Sequence, residues 1–216
     1  MAIADVADFK EQLIRKAQVG VLLVADYATA ALTTISGTGG ALTIPNGYES
    51  LGKLSTDGSE KNNEREISDI FGWGDITGPS RRDVDRETST LNITAIETRR
   101  RVLELTEGVD LSSVEPNANG EITWDKPLEP VLRDYRALLL VKDINKQNGL
   151  ELYYGIHYPR ATFSVNGGQQ LQPGENPLSY PMTVTAQPDA AAGTAVSTFW
   201  AGPGLAGLVE DMGFAS

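Results

Sequence analysis

Cysteine is absent from the 216 residues, so neither a disulfide framework nor a thiolate metal site is available to this chain. Basic residues run out early. Beyond Arg160 there is no lysine or arginine, and the charges that remain are Glu175, Asp189, Glu210 and Asp211, in a tail rich in Ala, Gly, Pro and Thr. The formal net charge of −11 excludes a general nucleic-acid binder, because affinity for a phosphate backbone needs clustered cations. The same charge suits a soluble particle component that must not stick to DNA. No apolar run is long enough for a membrane span: Val19 to Ala25 covers about seven residues where about twenty are needed. The opening MAIADVADFKEQ carries acids and no basic stretch, so no secretory leader is expected and intracellular synthesis is.

What is present is turn chemistry. With 22 glycines, 11 prolines and few long periodic apolar stretches, the composition favours strands and turns over helical bundles, in one domain spanning 1–216. The organising stretch is Ile67 to Gly108. It holds a charged ribbon, a turn at Gly78-Pro79-Ser80, and an alternating strand from about Val84 to Glu97. In that strand Leu91, Ile93 and Ala95 face one way, and Thr88, Thr90, Asn92 and Thr94 the other. A helix is predicted after Glu97-Thr98, with Val102 and Leu105 on its buried side and Gly108 at its left-handed stop. Arg99, Arg100 and Arg101 fall in its first turn, where the helix dipole disfavours cations. That placement calls for acidic partners in the fold or on a neighbouring subunit; the alternative is a solvated charge run.

Along the rest of the chain, Phe9 to Ala17 reads as a short helix or as an arm (1–18), and Val19 to Tyr27 as the first strand. Residues 29–59 are polar and glycine-rich, an extended loop with short strand candidates at Ala41 to Ile44 and Tyr48 to Lys53. Further strands are predicted at Glu64 to Phe71, Glu121 to Trp124, Arg133 to Lys142, Leu150 to His157, Arg160 to Val165, Pro181 to Gln187 and Gly193 to Trp200, and 201–216 as a C-terminal arm. The pattern is mainly β: a β-sandwich or flattened barrel with a flanking helix.

No catalytic, cofactor or metal residue emerges from the candidates. His157 sits in the string Tyr153-Tyr154-Gly155-Ile156-His157-Tyr158 and reads as a satisfied strand-end histidine without a nucleophile assigned to it. The pairs Glu64 with Glu66 and Asp83 with Asp85 share strand faces but lie among arginines, as ion networks do. Gly37-Thr38-Gly39-Gly40 has no Lys-Ser/Thr ending, and Asp57-Gly58-Ser59-Glu60 has its glycine in the wrong place for a calcium loop. Trp73, between two glycines, reads as a core or interface plug.

The opening VGVLLVADYATA, the passage from Asn46-Gly47-Tyr48 into STDGSEKNNEREISDIFGWGD, the TSTLNITAIETRRRVLELTEG strand and helix, and the late AQPDAAAGTAVSTFW resemble, in that order, the major tail (tail tube) proteins of long-tailed, non-contractile bacteriophages. The resemblance implies a structural virion protein that forms hexameric rings stacked into a hollow tail tube. Its implied partners are other copies of itself, a tape measure protein in the lumen, tail tip and tail terminator proteins at the ends, and DNA in transit during ejection, with no membrane insertion. It further implies no enzyme activity and no cofactor. The polar face Thr88, Thr90, Asn92, Thr94 would suit a smooth channel wall and 29–59 a loop reaching the next ring. Two rivals use the same fold class: a carbohydrate- or surface-binding module stacking ligand on Trp73, Tyr153, Tyr154 and Tyr158, and an enzyme on a β scaffold.

Overall fold

The structure, a computed structural model, describes residues 7–169, 171 and 177–214. It is mainly β, with one α-helix among the described residues. The strands are β1 (Val19–Asp26), β2 (Glu49–Ser50), β3 (Glu60–Ile70), β4 (Arg81–Ala95), β5 (Tyr135–Ile144), β6 (Glu151–Val165), β7 (Tyr180–Ala186) and β8 (Ser197–Ala201), and the helix is α1 (Arg100–Glu107). All eight strands join one antiparallel sheet in the order β2-β1-β5-β6-β7-β4-β3, with β8 on β6 beside that path. The sheet does not close into a barrel. The segment after β2 nevertheless ties its two ends together: Leu51 N donates to Leu22 O at 2.9 Å and Ser55 N to Thr94 O at 2.8 Å.

One apolar set fills the concave side of this curled sheet. Leu22 and Val24 from β1, Leu91, Ile93 and Ala95 from β4, Ala137 and Leu139 from β5, Ile156 and Tyr158 from β6, and Met182 and Val184 from β7 are all buried there. Helix α1 caps one end, adding Val102 and Leu105, and stops where Gly108 turns left-handed with φ 69°. The opposite face of β5 is also covered. Leu138 and Leu140 pack beneath Leu32 and Ile35 from the 29–59 segment, which is why β5 reads as an uninterrupted apolar run in sequence.

The strand expected to break before Arg160 does not break. Strand β6 continues through Pro159 because the register slips there: Tyr158 pairs with Ala137 but Ala161 with Tyr135, leaving one extra residue on β6. A bulge is one of the few places where a residue without an amide hydrogen fits inside a sheet. Arg136, skipped by the slip, turns its guanidinium onto the freed backbone: Nη1 donates to Pro159 O at 2.6 Å and to Asp189 Oδ2 at 3.1 Å, and Nε to Thr29 O at 2.5 Å. The bulge also divides the far edge of β6. Residues 153–157 pair with β8 and residues 161–165 with β7.

Several local expectations need correction. Residues 9–17 form only a three-residue 3-10 turn, Glu11–Leu13; Phe9 and Ile14 remain exposed, so the stripe that would drive a helix has nothing to pack against. The stretch is an arm, strapped down by Lys10 and Gln12 on Asp211 and by Arg15 on Asp143. No strand forms at Glu121 to Trp124, where Asn117 closes a turn onto Glu121 instead. Ala41 to Ile44 makes a single bridge, Ser36 to Leu42, and Tyr48 to Lys53 shrinks to two residues because Gly52 takes φ 87°. The described part of 201–216 is docked rather than loose: Leu208 is buried and Asn145 Nδ2 donates to Gly204 O at 2.7 Å. The 29–59 segment lies against the sheet, and what projects is the β3–β4 hairpin.

Candidate functional site: a polar sheet face and a projecting ribbon

Alternation in β4 places Leu91, Ile93 and Ala95 inside and leaves Thr88, Thr90, Asn92 and Thr94 half-buried on the outer face. Antiparallel register then extends that face across neighbouring strands. Asn62, Thr90, Thr185 and Thr162 form one cross-strand row over β3, β4, β7 and β6. The next row is Glu60, Asn92, Thr183 and Ser164. The Asn92 carboxamide oxygen accepts from Thr183 Oγ1 at 2.7 Å and from Asn166 Nδ2 at 3.3 Å, so the rows are stitched laterally. On β4, β6 and β7 the two rows carry hydroxyls and one amide and no charge, a surface that neither grips phosphate nor offers an apolar patch. The sequence identified the β4 members; Thr162, Ser164, Thr183 and Thr185 join them only through register, which composition does not reveal.

On the N-terminal side of Thr90, strand β4 loses β7 and pairs with β3 alone, so residues 63–70 and 81–89 form a two-stranded ribbon standing clear of the sheet. Its acids and arginines pair across and along the ribbon: Arg65 with Glu87 at 2.7 Å, Arg86 with Glu66 at 3.1 Å, Arg82 with Asp69 at 2.7 Å and Arg81 with Asp83 at 2.7 Å. Solvent screens such exposed pairs, so their use is solubility and register rather than stability. Of the carboxylate pairs read from the sequence, Glu66 and Asp83 meet arginines, while Asp85 accepts from Ser68 Oγ at 2.9 Å. Phe71, Trp73 and Ile76 stand exposed at the ribbon tip, Trp73 fully so, and Trp73 is no core plug.

The arginine triplet finds its acids within the subunit. Arg99 meets Glu97 at 2.6 Å, and Arg100 approaches Glu49 and Glu104. Arg101 is buried and contacts Asp26 at 2.8 Å and Glu104 at 3.0 Å. Burial pushes the Glu104 carboxyl up even though Arg101 opposes it. Arg100, Arg101, Asp26, Glu49 and Glu104 line a polar cleft of about 550 Å³ with Asp110, Arg133 and Asp134. Acidic and basic groups alternate around it, and among the described residues no cluster of His, Cys, Asp and Glu is arranged to hold a metal ion.

His157 is buried in mid-strand, not at a strand end. Its Nε2 lies 3.1 Å from the Tyr48 hydroxyl and its Nδ1 has no partner; burial, and then Arg136, lower its pKa to about 4. A neutral imidazole held by one phenol fastens the 29–59 segment to the sheet. The aromatics that a sugar-binding module would need do not converge. Tyr158 is fully buried in the main core with Tyr154 packed against it, Tyr153 packs with the other core, and Trp73 is on the ribbon tip. Gly37-Thr38-Gly39-Gly40 is a 3-10 turn, and Asp57 accepts from Ser55 in a local turn. No helix of the described residues is long and apolar enough to cross a membrane.

Comparison with known proteins agrees with this architecture. No curated protein matches the chain, but a family described as phage tail tube protein matches residues 8–201, from the strapped arm to the end of β8. That span covers every strand, the helix, the polar face and the ribbon. The chain belongs to the phage tail tube protein family, a structural component of the bacteriophage virion that assembles into the tail tube.

Proposed function

We propose that this protein forms hexameric rings that stack into a hollow tail tube, with the polar rows of β4, β7 and β6 lining the channel. The tube encloses the tape measure protein, meets tail tip and tail terminator proteins at its ends, and conducts DNA at ejection. The subunit is made in the host cytoplasm. The observation that carries the reading is the uncharged hydroxyl face, Thr90-Thr185-Thr162 and Asn92-Thr183-Ser164, on an otherwise charged, acidic subunit. A wall past which DNA must slide needs hydrogen-bonding groups that water satisfies, no cation track and no broad apolar area. The pairing of Arg81, Arg82 and Arg86 with Asp83, Asp69 and Glu66 supports it, since no bare arginine ladder runs along the ribbon. Six chains at −11 give a ring a formal charge of −66, which repels DNA rather than binding it.

Free edges support ring closure. Strand β3 and the outer half of β4 expose backbone donors and acceptors that a neighbouring copy can pair, and closed symmetry removes such edges. We assign the reach between rings to the β3–β4 ribbon rather than to 29–59, because the latter is spent covering β5. Negative-stain microscopy of concentrated purified protein tests the assembly: rings or tubes of uniform width are expected, and dispersed monomers at every concentration would overturn it.

A further inference from the structure

We propose that the apolar tip of the ribbon docks on the helix end of a second copy of this chain, against Leu128, Val131 and Leu132; the inference rests on the tail-tube reading above. Among the exposed apolar side chains of the described residues, two groups sit at opposite ends of the subunit. One is the tip, where Phe71, Trp73 and Ile76 are 62%, 108% and 94% exposed. The other is the irregular stretch before β5, where Leu128, Val131 and Leu132 are 102%, 64% and 72% exposed. This second patch is held against α1 by Lys126 on Glu107 at 2.5 Å and Arg133 on Asp110 at 2.9 Å. Val131 and Leu132 also rim a small depression whose floor is Leu105, Tyr135 and Phe163.

The two patches lie at opposite ends of β4. The tip precedes Arg81, and α1 follows Ala95. Fifteen residues at ~3.3 Å each separate them by roughly 50 Å, so a tip cannot reach the strip of its own chain. A contact between copies satisfies both patches at once and is heterologous: each subunit gives a tip and receives one, so the contact repeats along a line. Aromatic side chains bury about 150–250 Å² each, so the two patches together approach the ~1,000 Å² at which an interface becomes specific. Arg82 is paired with Asp69 at the tip and Arg133 with Asp110 at the strip, Asp75 is held by Gly72 N and Ser80 Oγ, and Glu129 is exposed, so it belongs at the solvated rim of the contact.

The cysteine-free chain makes the test direct. Thr77→Cys combined with Glu129→Cys, exposed positions beside the two apolar groups, in assembled particles treated with a short bis-maleimide, is expected to yield a ladder of covalent multimers extending beyond dimers. Each single variant should yield no ladder. Trp73→Ser with Phe71→Ser should raise the concentration at which rings stack by at least about tenfold, as loss of a central aromatic anchor does. Circular dichroism of that variant should match the parent, since both side chains are exposed in the subunit. Tubes that form from the double-cysteine protein without a ladder, or equally well from the double-serine protein, overturn the docking assignment alone. Failure of the unmodified protein to form rings or tubes overturns the tail-tube assembly and this inference with it.

Discussion

Acidification should loosen the subunit through one imidazole. His157 is fully buried, and burial followed by repulsion from Arg136 lowers its pKa from 6.5 to about 4, with Asp189 opposing only in part. Tyr48, whose own hydroxyl is pushed up to about 12 by burial, faces Nε2 and has no charge to offer a cation. The sign follows from linkage. Above the unfolded pKa neither state takes the proton, so the contribution is fully present; as pH falls from 6.5 towards 4, the unfolded chain binds a proton that the native state refuses. At ~1.4 kcal/mol per unit, that window removes about 3 kcal/mol of stability. The comparison is urea denaturation of the dissociated subunit at a series of pH values from about 7.5 to 4, beside His157→Gln, which keeps a hydrogen-bonding group against Tyr48. The parent should lose about 3 kcal/mol more than the variant across the window, while carboxylate titrations common to both cancel. Parallel profiles would refute the buried, neutral state assigned to this residue.

Three further outcomes follow from packing and charge. Arg101→Met should cost about 3 kcal/mol, because it strands the buried Glu104 with only Tyr135 and distant Arg100 as partners; adding Glu104→Leu should restore most of it in the same denaturation assay. The single variant's loss should shrink below neutral pH as Glu104, already pushed up by burial, takes a proton more readily in the native state than unfolded. Arg136→Met should destabilise by at least about 1–3 kcal/mol for the Pro159 carbonyl it leaves unpaired, and hydrogen exchange should show early opening at Gln187 and in β8. Leu138→Ala, beneath Leu32 and Ile35, should cost about 2–5 kcal/mol in thermal or urea unfolding and make residues 29–48 protease-sensitive while the β4 face stays ordered.

The most legible elements were those whose pattern and burial have the same cause. Leu91, Ile93 and Ala95 alternate with threonines because one face of β4 is inside, and Val102, Leu105 and Gly108 mark a helix because a capping helix needs an apolar stripe and a left-handed stop. Strand β5 announced itself through a run that only double-sided burial sustains. Pro159 misled because the local rule, no proline inside a strand, omits the bulge, and the bulge is secured by Arg136 from 23 residues earlier. The arginine triplet showed correctly that acids must be near, but not whose: Asp26 ends β1 and Glu49 begins β2, each more than 50 residues away in the chain. In the candidate site, the Thr88 to Thr94 face was visible in β4 alone, whereas its extension over β7 and β6 depends on register. Nothing in the charged sequence of Glu60 to Ile70 distinguishes a covered edge strand from a ribbon standing free, because a solvated ion ladder fits both.

The channel wall is the central claim, and a density map of the assembled tube with side chains resolved addresses it most directly. The account predicts Thr90, Thr185 and Thr162 in one row and Asn92, Thr183 and Ser164 in the next on the channel surface, with Leu91 and Ile93 buried beneath them. Leu91 or Ile93 on that surface, a continuous track of unpaired arginines along it, or the threonine rows on the outside of the tube would contradict it.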